Sequence, residues 1–332
     1  MITADENDHF AGGPPSRADC DGIHTSRTYS QIGEIDADLD SVIFTEFGDA
    51  TPFRTDFDDA PAFYINGNPA QTDPKTRKLE REAGMAIGFD VIQGGNNQIA
   101  QALADQAEQA LLHMITADPN RTPNFILFAN PDYFFSTSGK TPPPTCTPTL
   151  ADCFAEDPGF AWNHGDFQQE ITKTWLGMVG PGVRKLGEFG EIFNDHTDIR
   201  PTILSLAGLK DDYAHDGRVL FEALADHAIP RALRAHRDTL SDLADAYKKI
   251  NAPLGELGLS TLTGISTEAL EGNDTTYSLL EQQIKDITVK RNEIAGKMIE
   301  MLENAAFNDQ PIDKAKAVEL IDEANDLLAS IP

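Results

Sequence analysis

The chain is poor in basic residues, in cysteine and in long apolar runs. Its 332 residues include 26 lysines and arginines against 54 aspartates and glutamates, which leaves a formal net charge of −28. Nucleic-acid binding depends mainly on cationic side chains that neutralise phosphates, so this balance argues against nucleic-acid backbones and anionic membrane surfaces as partners. No apolar run approaches the roughly 18 residues of a membrane span. The first ten residues also lack the basic start and apolar core of a signal peptide.

The three cysteines, Cys20, Cys146 and Cys153, are too few for a disulfide scaffold and lack the spacing of a zinc knuckle. Cys146 and Cys153 flank a short loop after a proline-rich turn, and folding back of that loop would bring their Cβ atoms within bridging range. Two interpretations stay open. The pair forms a disulfide, or it consists of two free thiols in a surface loop that would suit a reducing compartment.

Apolar residues are plentiful, at 40%, and 18 phenylalanines supply large side chains for a packed interior. The length suggests about two domains, and the composition shifts near residue 226. Before it, proline and glycine separate short β-rich runs from helical stretches, which predicts an α/β domain over residues 1–225. After it, long helical periods predict a helical appendage over residues 226–332. The predicted strands include residues 41–44, 62–65, 124–129 and 177–179.

The appendage contains three segments with apolar residues at helical spacing, and these predict an all-α hairpin or small bundle. His236 and Arg291 interrupt the apolar stripes, which favours packing of the helices on one another. The alternative is a coiled coil with a partner or with a second copy of the chain. Because a buried unpaired guanidinium is costly, we expect Arg291 to face solvent or to pair with an acidic neighbour.

Four side chains that can bind metals, Asp5, Glu6, Asp8 and His9, lie within five residues after a short apolar start. This pattern predicts a buried strand that delivers ligands at its carboxyl edge. Carboxylate together with imidazole suits zinc, manganese or iron, whereas calcium prefers oxygen ligands alone. The alternative is an acidic, frayed terminus with a solvated histidine.

A second region of interest surrounds His164, which precedes a glycine and is followed by a short strand and a Gly-Pro-Gly turn. We expect His164 on a tight loop beside the sheet, with Asp166 placed to orient it. Further along, Asp198 or the residue before it caps a predicted helix that has Pro201 in its first turn and ends at Gly208. For His196 and Asp198, a hydrogen-bond network at this helix start is favoured over metal ligation.

Taken in order, these segments resemble the C-terminal half of the alkaline phosphatase superfamily, in particular its phosphodiesterase, nucleotide pyrophosphatase and sulfatase-like branches. The resemblance covers roughly residues 1–220. Its most specific parts are the strand ending in Thr3-Ala4-Asp5, the His164-Gly165 pair followed by Gly180-Pro181-Gly182-Val183, the stretch 196–209, and Asp216-Gly217-Arg218. It implies a partial alkaline-phosphatase-like sheet flanked by helices.

The resemblance also implies a two-metal site, commonly of zinc, in which an Asp-His pair after a strand binds one ion and a late histidine before glycine binds the other. Asp5 matches the strand-end aspartate and His164 the late histidine. The family's Asp-His pair corresponds to Asp5-Glu6 if Thr3-Ala4-Asp5 is aligned with the end of the family's strand. It corresponds to Asp8-His9 if the Asp-His pair itself is aligned. All of Asp5, Glu6, Asp8, His9 and His164 are therefore candidate metal ligands, with Asp5 and His9 ranked first.

The function implied by the resemblance is metal-dependent hydrolysis of a small phosphate ester, or of a sulfate ester in the sulfatase-like branch, by a secreted or cell-envelope protein. In that family the nucleophile and another metal-binding aspartate precede the Asp-His segment, at which this chain begins. We therefore expect little or no activity from this chain alone, and expect Met1 to be an internal start or a gene-boundary artefact. The alternative is a non-catalytic protein that assembles through its helical tail.

Overall fold

The computed structural model describes residues 1–11, 33–91, 94–211, 213, 215–266 and 274–331, so that Cys20 lies outside the described residues. The chain divides into two compact units. The sheet unit comprises residues 6–174 and 262–282, and the helical unit comprises residues 1–5, 175–261 and 283–332. Each unit is built from separate stretches of the chain, so these units differ from the two domains that a single boundary near residue 226 would give. The two-domain division along the chain stays a prediction.

The strands are short, and their pairing brings distant parts of the chain together. In chain order they are β1 Ile2–Thr3, β2 His9–Phe10, β3 Glu34–Asp38, β4 Phe53–Thr55, β5 Ala62–Ile65, β6 Ile87–Phe89, β7 Asn96–Gln98, β8 Ala100–Ala104, β9 Phe125–Ala129, β10 Tyr133–Ser136, β11 Phe154–Asp157, β12 Trp162–Asn163 and β13 Leu176–Gly177.

Most of these strands belong to the sheet unit. An antiparallel sheet has the order β4-β5-β9-β8, and a mixed sheet has β3 between parallel β10 and antiparallel β11. The two-stranded pairs β6-β7 and β2-β12 complete the described strands of this unit. In the helical unit, β1 pairs with β13.

The helices alternate with the strands in the first half of the chain and dominate the second. They are α1 Leu39–Phe47, α2 Pro74–Met85, α3 Gln106–Leu111, α4 Gln169–Thr172, α5 Ile199–Leu206, α6 Arg231–Arg234, α7 Arg237–Asn251, α8 Glu256–Ser260, α9 Asp274–Phe307 and α10 Lys314–Ala329. A mixed α/β class with a helix-rich C-terminal region, as predicted, is therefore confirmed. None of the described helices combines the length and the apolar character needed to cross a membrane.

The core of the sheet unit explains why these segments fold locally as they do. The rings of Phe63 on β5 and Phe125 on β9 stack with centroids 4.2 Å apart. Helix α1 adds Leu39, Val42 and Ile43, which share one buried face at helical spacing. The described part of the sheet unit thus buries one continuous apolar cluster between its sheets and α1.

The helical unit is held by amphipathic packing and by buried charges. Helix α10 packs on α7, and both bury leucines on their facing sides. Arg291 on α9 is only 1% exposed. Of the two expectations for this residue, exposure to solvent is therefore wrong, and pairing with an acidic neighbour stays a prediction. Its Nε donates to the Asn292 side chain at 2.7 Å, and a terminal nitrogen lies 3.5 Å from the Ile250 carbonyl.

The structure tests the four strands and the cysteine pair that the sequence predicted. The strand at residues 62–65 is confirmed, and that at 124–129 is confirmed as β9. The strand at 41–44 is wrong, because these residues belong to α1, which ends at Phe47 and is followed by Gly48 with a φ of 71°. The strand predicted at 177–179 is displaced to β13. Cys146 and Cys153 form a disulfide across seven residues, which decides between the two interpretations of that loop.

Candidate functional site

Pairing of β2 with β12 places the acidic N-terminal segment beside the His164 loop. Phe10 lies opposite Trp162, and His9 opposite Asn163. Because the two strands are antiparallel, the residues that precede β2 run alongside those that follow β12. Glu6 therefore meets His164, although 158 residues separate them along the chain.

The contact between Glu6 and His164 uses both oxygens of the carboxylate. Oε1 of Glu6 lies 2.8 Å from Nδ1 of His164, and Oε2 accepts the Gly165 N–H at 2.8 Å. The His164 side chain is 61% exposed and that of Glu6 33%. An ion pair this exposed adds little to stability.

An oxygen and a nitrogen at this separation are close to the arrangement that a shared metal ion requires. Ligand bonds of about 2.1 Å at a tetrahedral angle place the two donor atoms roughly 3.4 Å apart. The observed 2.8 Å is about half an ångström shorter than this and is a hydrogen-bond distance. Glu6 and His164 offer two donor atoms of the oxygen and nitrogen types that zinc accepts, whereas a zinc site has three or four protein ligands.

His9 lies in a different set of contacts. Its Nε2 is 3.1 Å from Oδ1 of Asp132, and its Nδ1 is 3.3 Å from Oε1 of Glu170. Burial lowers the pKa of His9, but the hydrogen bonds and charges of Asp132 and Glu170 outweigh this effect and raise it above its ordinary value. His9 would have to give up one of these bonds to bind a metal.

The other two candidates of the N-terminal segment, Asp5 and Asp8, are both exposed. Asp5 belongs to the helical unit, where β1 holds the residues before it. In that unit Nε2 of His196 lies 2.8 Å from the Ala4 carbonyl and 3.4 Å from the Thr3 hydroxyl. His196, which sequence reasoning gave a structural role, thus lies next to the segment that ends in Asp5.

Asp166, predicted to orient His164, is 5% exposed and accepts the Phe167 N–H at 2.6 Å. Burial is the main cause that raises the pKa of Asp166 to about 7, against the hydrogen bonds that lower it. An orienting role for Asp166 stays a prediction.

Sequence reasoning missed a group of three carboxylates, on Glu34, Asp36 and Asp157, which each offer an oxygen within 4.8 Å of the others. Glu34 and Asp36 share one face of β3, and Asp157 lies opposite Glu34 on β11. Burial, with the charges of Asp36 and Asp157, raises the pKa of Glu34 to about 7, while the charge of His164 lowers it. The alternation of acidic and apolar residues from Glu34 to Asp38 was the available signal.

Comparison with protein-family models, with curated proteins and with solved structures yields no match for this chain. The resemblance to the alkaline phosphatase superfamily therefore depends on the motifs in the sequence.

Proposed function

We propose that this chain binds a divalent metal ion through Glu6 and His164 and belongs to a metal-dependent hydrolase of small phosphate esters. The observation that carries the proposal is the contact of Glu6 with His164 and Gly165. A carboxylate and an imidazole from segments far apart in the chain meet at nearly ligand spacing, on a surface where an ion pair alone gains little. These are also segments on which the family resemblance depends.

The neighbouring charges favour a cation at this place. His164 is close enough to Glu34 to lower the pKa of that carboxyl, so the group of three carboxylates on Glu34, Asp36 and Asp157 contributes to the same local field. The mixed nitrogen and oxygen donors favour zinc, with manganese or iron as alternatives. We further propose that the small sheets correspond to part of an alkaline-phosphatase-like sheet.

A divalent ion at such a site would neutralise charge on the phosphoryl oxygens of the ester. The side chains have simpler tasks. Glu6 and His164 hold the ion, and the Gly165 N–H keeps the Glu6 carboxylate turned toward His164.

We also propose a secreted or cell-envelope location for this protein. The Cys146–Cys153 disulfide supports a secreted or cell-envelope location, because such bridges persist in oxidising compartments. Assembly through the tail stays a prediction, since single exposed apolar side chains such as Val289 and Val318 are ordinary for a monomer.

The test is a calorimetric titration of the metal-free chain with zinc, in parallel for the Glu6→Gln and His164→Ala variants. We expect each substitution to lower zinc affinity at least tenfold, because either one removes a ligand. Asp118→Asn is the matched control, since it removes an exposed charge of the sheet unit at a residue outside the candidate ligands. Unchanged zinc affinity in both ligand variants would disprove the assignment.

Hydrolysis is measured in the same proteins with chromogenic phosphate monoester, phosphate diester and sulfate ester, with added zinc or manganese. We expect slow, metal-dependent turnover of a phosphate ester that is lost in His164→Ala. Metal-independent turnover, or turnover equal in His164→Ala, would contradict the proposed function even if zinc binds.

A further inference from the structure

The first turns of α9 are docked on the sheet unit through a cluster of buried charges. Of residues 274–282, only Tyr277 and Glu281 are buried, so few side chains hold this end of the helix. The guanidinium of Arg77 on α2 lies over the Tyr277 ring, with its carbon 4.0 Å from the ring centroid. A terminal nitrogen of Arg77 also donates to the Glu281 carboxylate. Arg77 therefore contacts both of the buried side chains.

Arg77 also serves two carboxylates that belong to the earlier part of the sheet unit. Its other terminal nitrogen lies 3.5 Å from Oε2 of Glu80 and 3.9 Å from Oδ2 of Asp105. The side-chain amide of Gln71 donates to both carboxylates, at 2.8 Å to Glu80 and 3.4 Å to Asp105. Glu80 is 0% exposed, and Asp105, Glu281 and Arg77 are buried as well. Three buried carboxylates thus share one guanidinium.

The charge balance of this cluster favours a proton on one carboxylate, because two uncompensated negative charges in the interior are costly. Burial, and then the charge of Asp105, raises the pKa of Glu80 well above its ordinary value. The charge of Arg77 and hydrogen bonds with Gln71 and Tyr277 act against this rise. Burial raises the pKa of Asp105 too, but its Oδ1 accepts two backbone N–H groups of α3, at 2.8 and 2.9 Å, which favour the ionised form. Glu80 is therefore the group that holds the proton.

We propose that this cluster is a pH-dependent latch, which docks residues 274–282 on the sheet unit while Glu80 is protonated and releases them when Glu80 ionises. Release admits water to the carboxylates and moves the Glu281 charge away, while the ionised Glu80 stays beside Arg77 on α2. Because the pKa of Glu80 is higher in the docked state, docking weakens as the pH rises from the ordinary value of 4.5 through the raised pKa.

The test is hydrogen exchange of the full chain, followed by mass spectrometry from about pH 6 to about pH 9 and corrected for the intrinsic exchange rate at each pH. We expect the protection of residues 274–282 to fall roughly tenfold or more over this range, while residues 290–298 of the same helix stay protected. Glu80→Gln should keep residues 274–282 protected throughout, because the amide cannot ionise. Glu293→Gln removes an exposed carboxylate from α9 and is the matched control, which should retain the full pH response.

Asp105→Asn serves if Glu80→Gln misfolds by circular dichroism. Asparagine keeps a capping side chain for α3 and removes one negative charge, so the cluster tolerates an ionised Glu80 and the pH response should shrink. Equal protection of residues 274–282 at both ends of the pH range in the unmodified chain would overturn the proposal. So would a pH response that both variants retain in full. A loss of protection that extends equally to residues 290–298 would also overturn it, because general unfolding would then explain the result.

Discussion

The buried lysine of helix α7 offers the sharpest test of the helical unit. Lys248 Nζ lies 2.7 Å from Oδ1 of Asp198 and 3.0 Å from Oδ2 of Asp195. It also contacts the Thr197 hydroxyl at 3.2 Å. The side chains of Lys248 and Asp198 are 1% and 0% exposed. This one ammonium group therefore holds the turn His196–Asp198 against α7.

Lys248→Met keeps the unbranched apolar stem of the side chain, one atom shorter, and removes its charge, which leaves the buried Asp198 carboxylate without its cation. Removing one partner of a buried ion pair typically costs 3–5 kcal/mol. Asp198 retains the N–H groups of Arg218 at 2.8 Å and of Asp195 at 3.1 Å, so the lower end of that range applies. We expect the free energy of unfolding to fall by about 3 kcal/mol, with Tm lower by roughly 6–12 °C.

The assay is urea and thermal unfolding followed by circular dichroism, with Lys249→Met as the control. Lys249 neighbours Lys248 but is 39% exposed and pairs with Asp245 at 2.9 Å on the surface, so its loss should cost at most about 1 kcal/mol. Adding Asp198→Asn to Lys248→Met should recover part of the lost stability, because it removes the stranded charge. A loss below about 1 kcal/mol for Lys248→Met, or equal losses for both lysines, would refute the reasoning.

Two further predictions concern the sheet unit. The pKa of Glu34 is raised from 4.5 to about 7, mainly by burial, so its ionisation destabilises the fold as the pH rises from about 4.5 through 7. In the absence of divalent metal, Glu34→Gln should therefore be more stable than the unmodified chain at pH 8, by up to about 3 kcal/mol, and equally stable at pH 4. Urea unfolding at both pH values measures this difference, and a difference that does not change with pH would contradict the prediction. Replacing both Cys146 and Cys153 with alanine should lower the free energy of unfolding by about 2 kcal/mol, since the bridge closes a loop of seven residues. Urea unfolding of the reduced and oxidised chain checks this, and equal midpoints would refute it.

Short stretches of sequence were enough to predict many of the helices and strands. Apolar spacing predicted helices α7, α9 and α10, and β-branched and aromatic runs predicted β5 and β9. The stop at Gly208 was also predicted, and this residue has the left-handed φ of 68° that favours glycine. Each of these features depends on residues within one or two turns of each other, so the sequence alone could specify them.

Tertiary context decided the elements for which local signals conflict. The segment that contains Val42 and Ile43 has the composition of a strand, but the same residues with Leu39 form one apolar helical face against the core. Burial of that face outweighs β-propensity, which is a weak and context-dependent preference. Arg291 likewise lies in the packed interior, where Asn292 and the Ile250 carbonyl satisfy part of its hydrogen bonding.

The sequence by itself determined which chemical groups are available: an acidic segment with a histidine near the start, His164 before a glycine, and a large excess of carboxylates. Only the tertiary structure decided which of them meet. Pairing of β2 with β12 selects Glu6 as a neighbour of His164 and leaves His9 with Asp132 and Glu170. Antiparallel pairing of β3 with β11 brings Glu34 opposite Asp157. The register of strands distant in sequence depends on the packing of the whole unit, because a shift of one residue would turn every side chain to the other face.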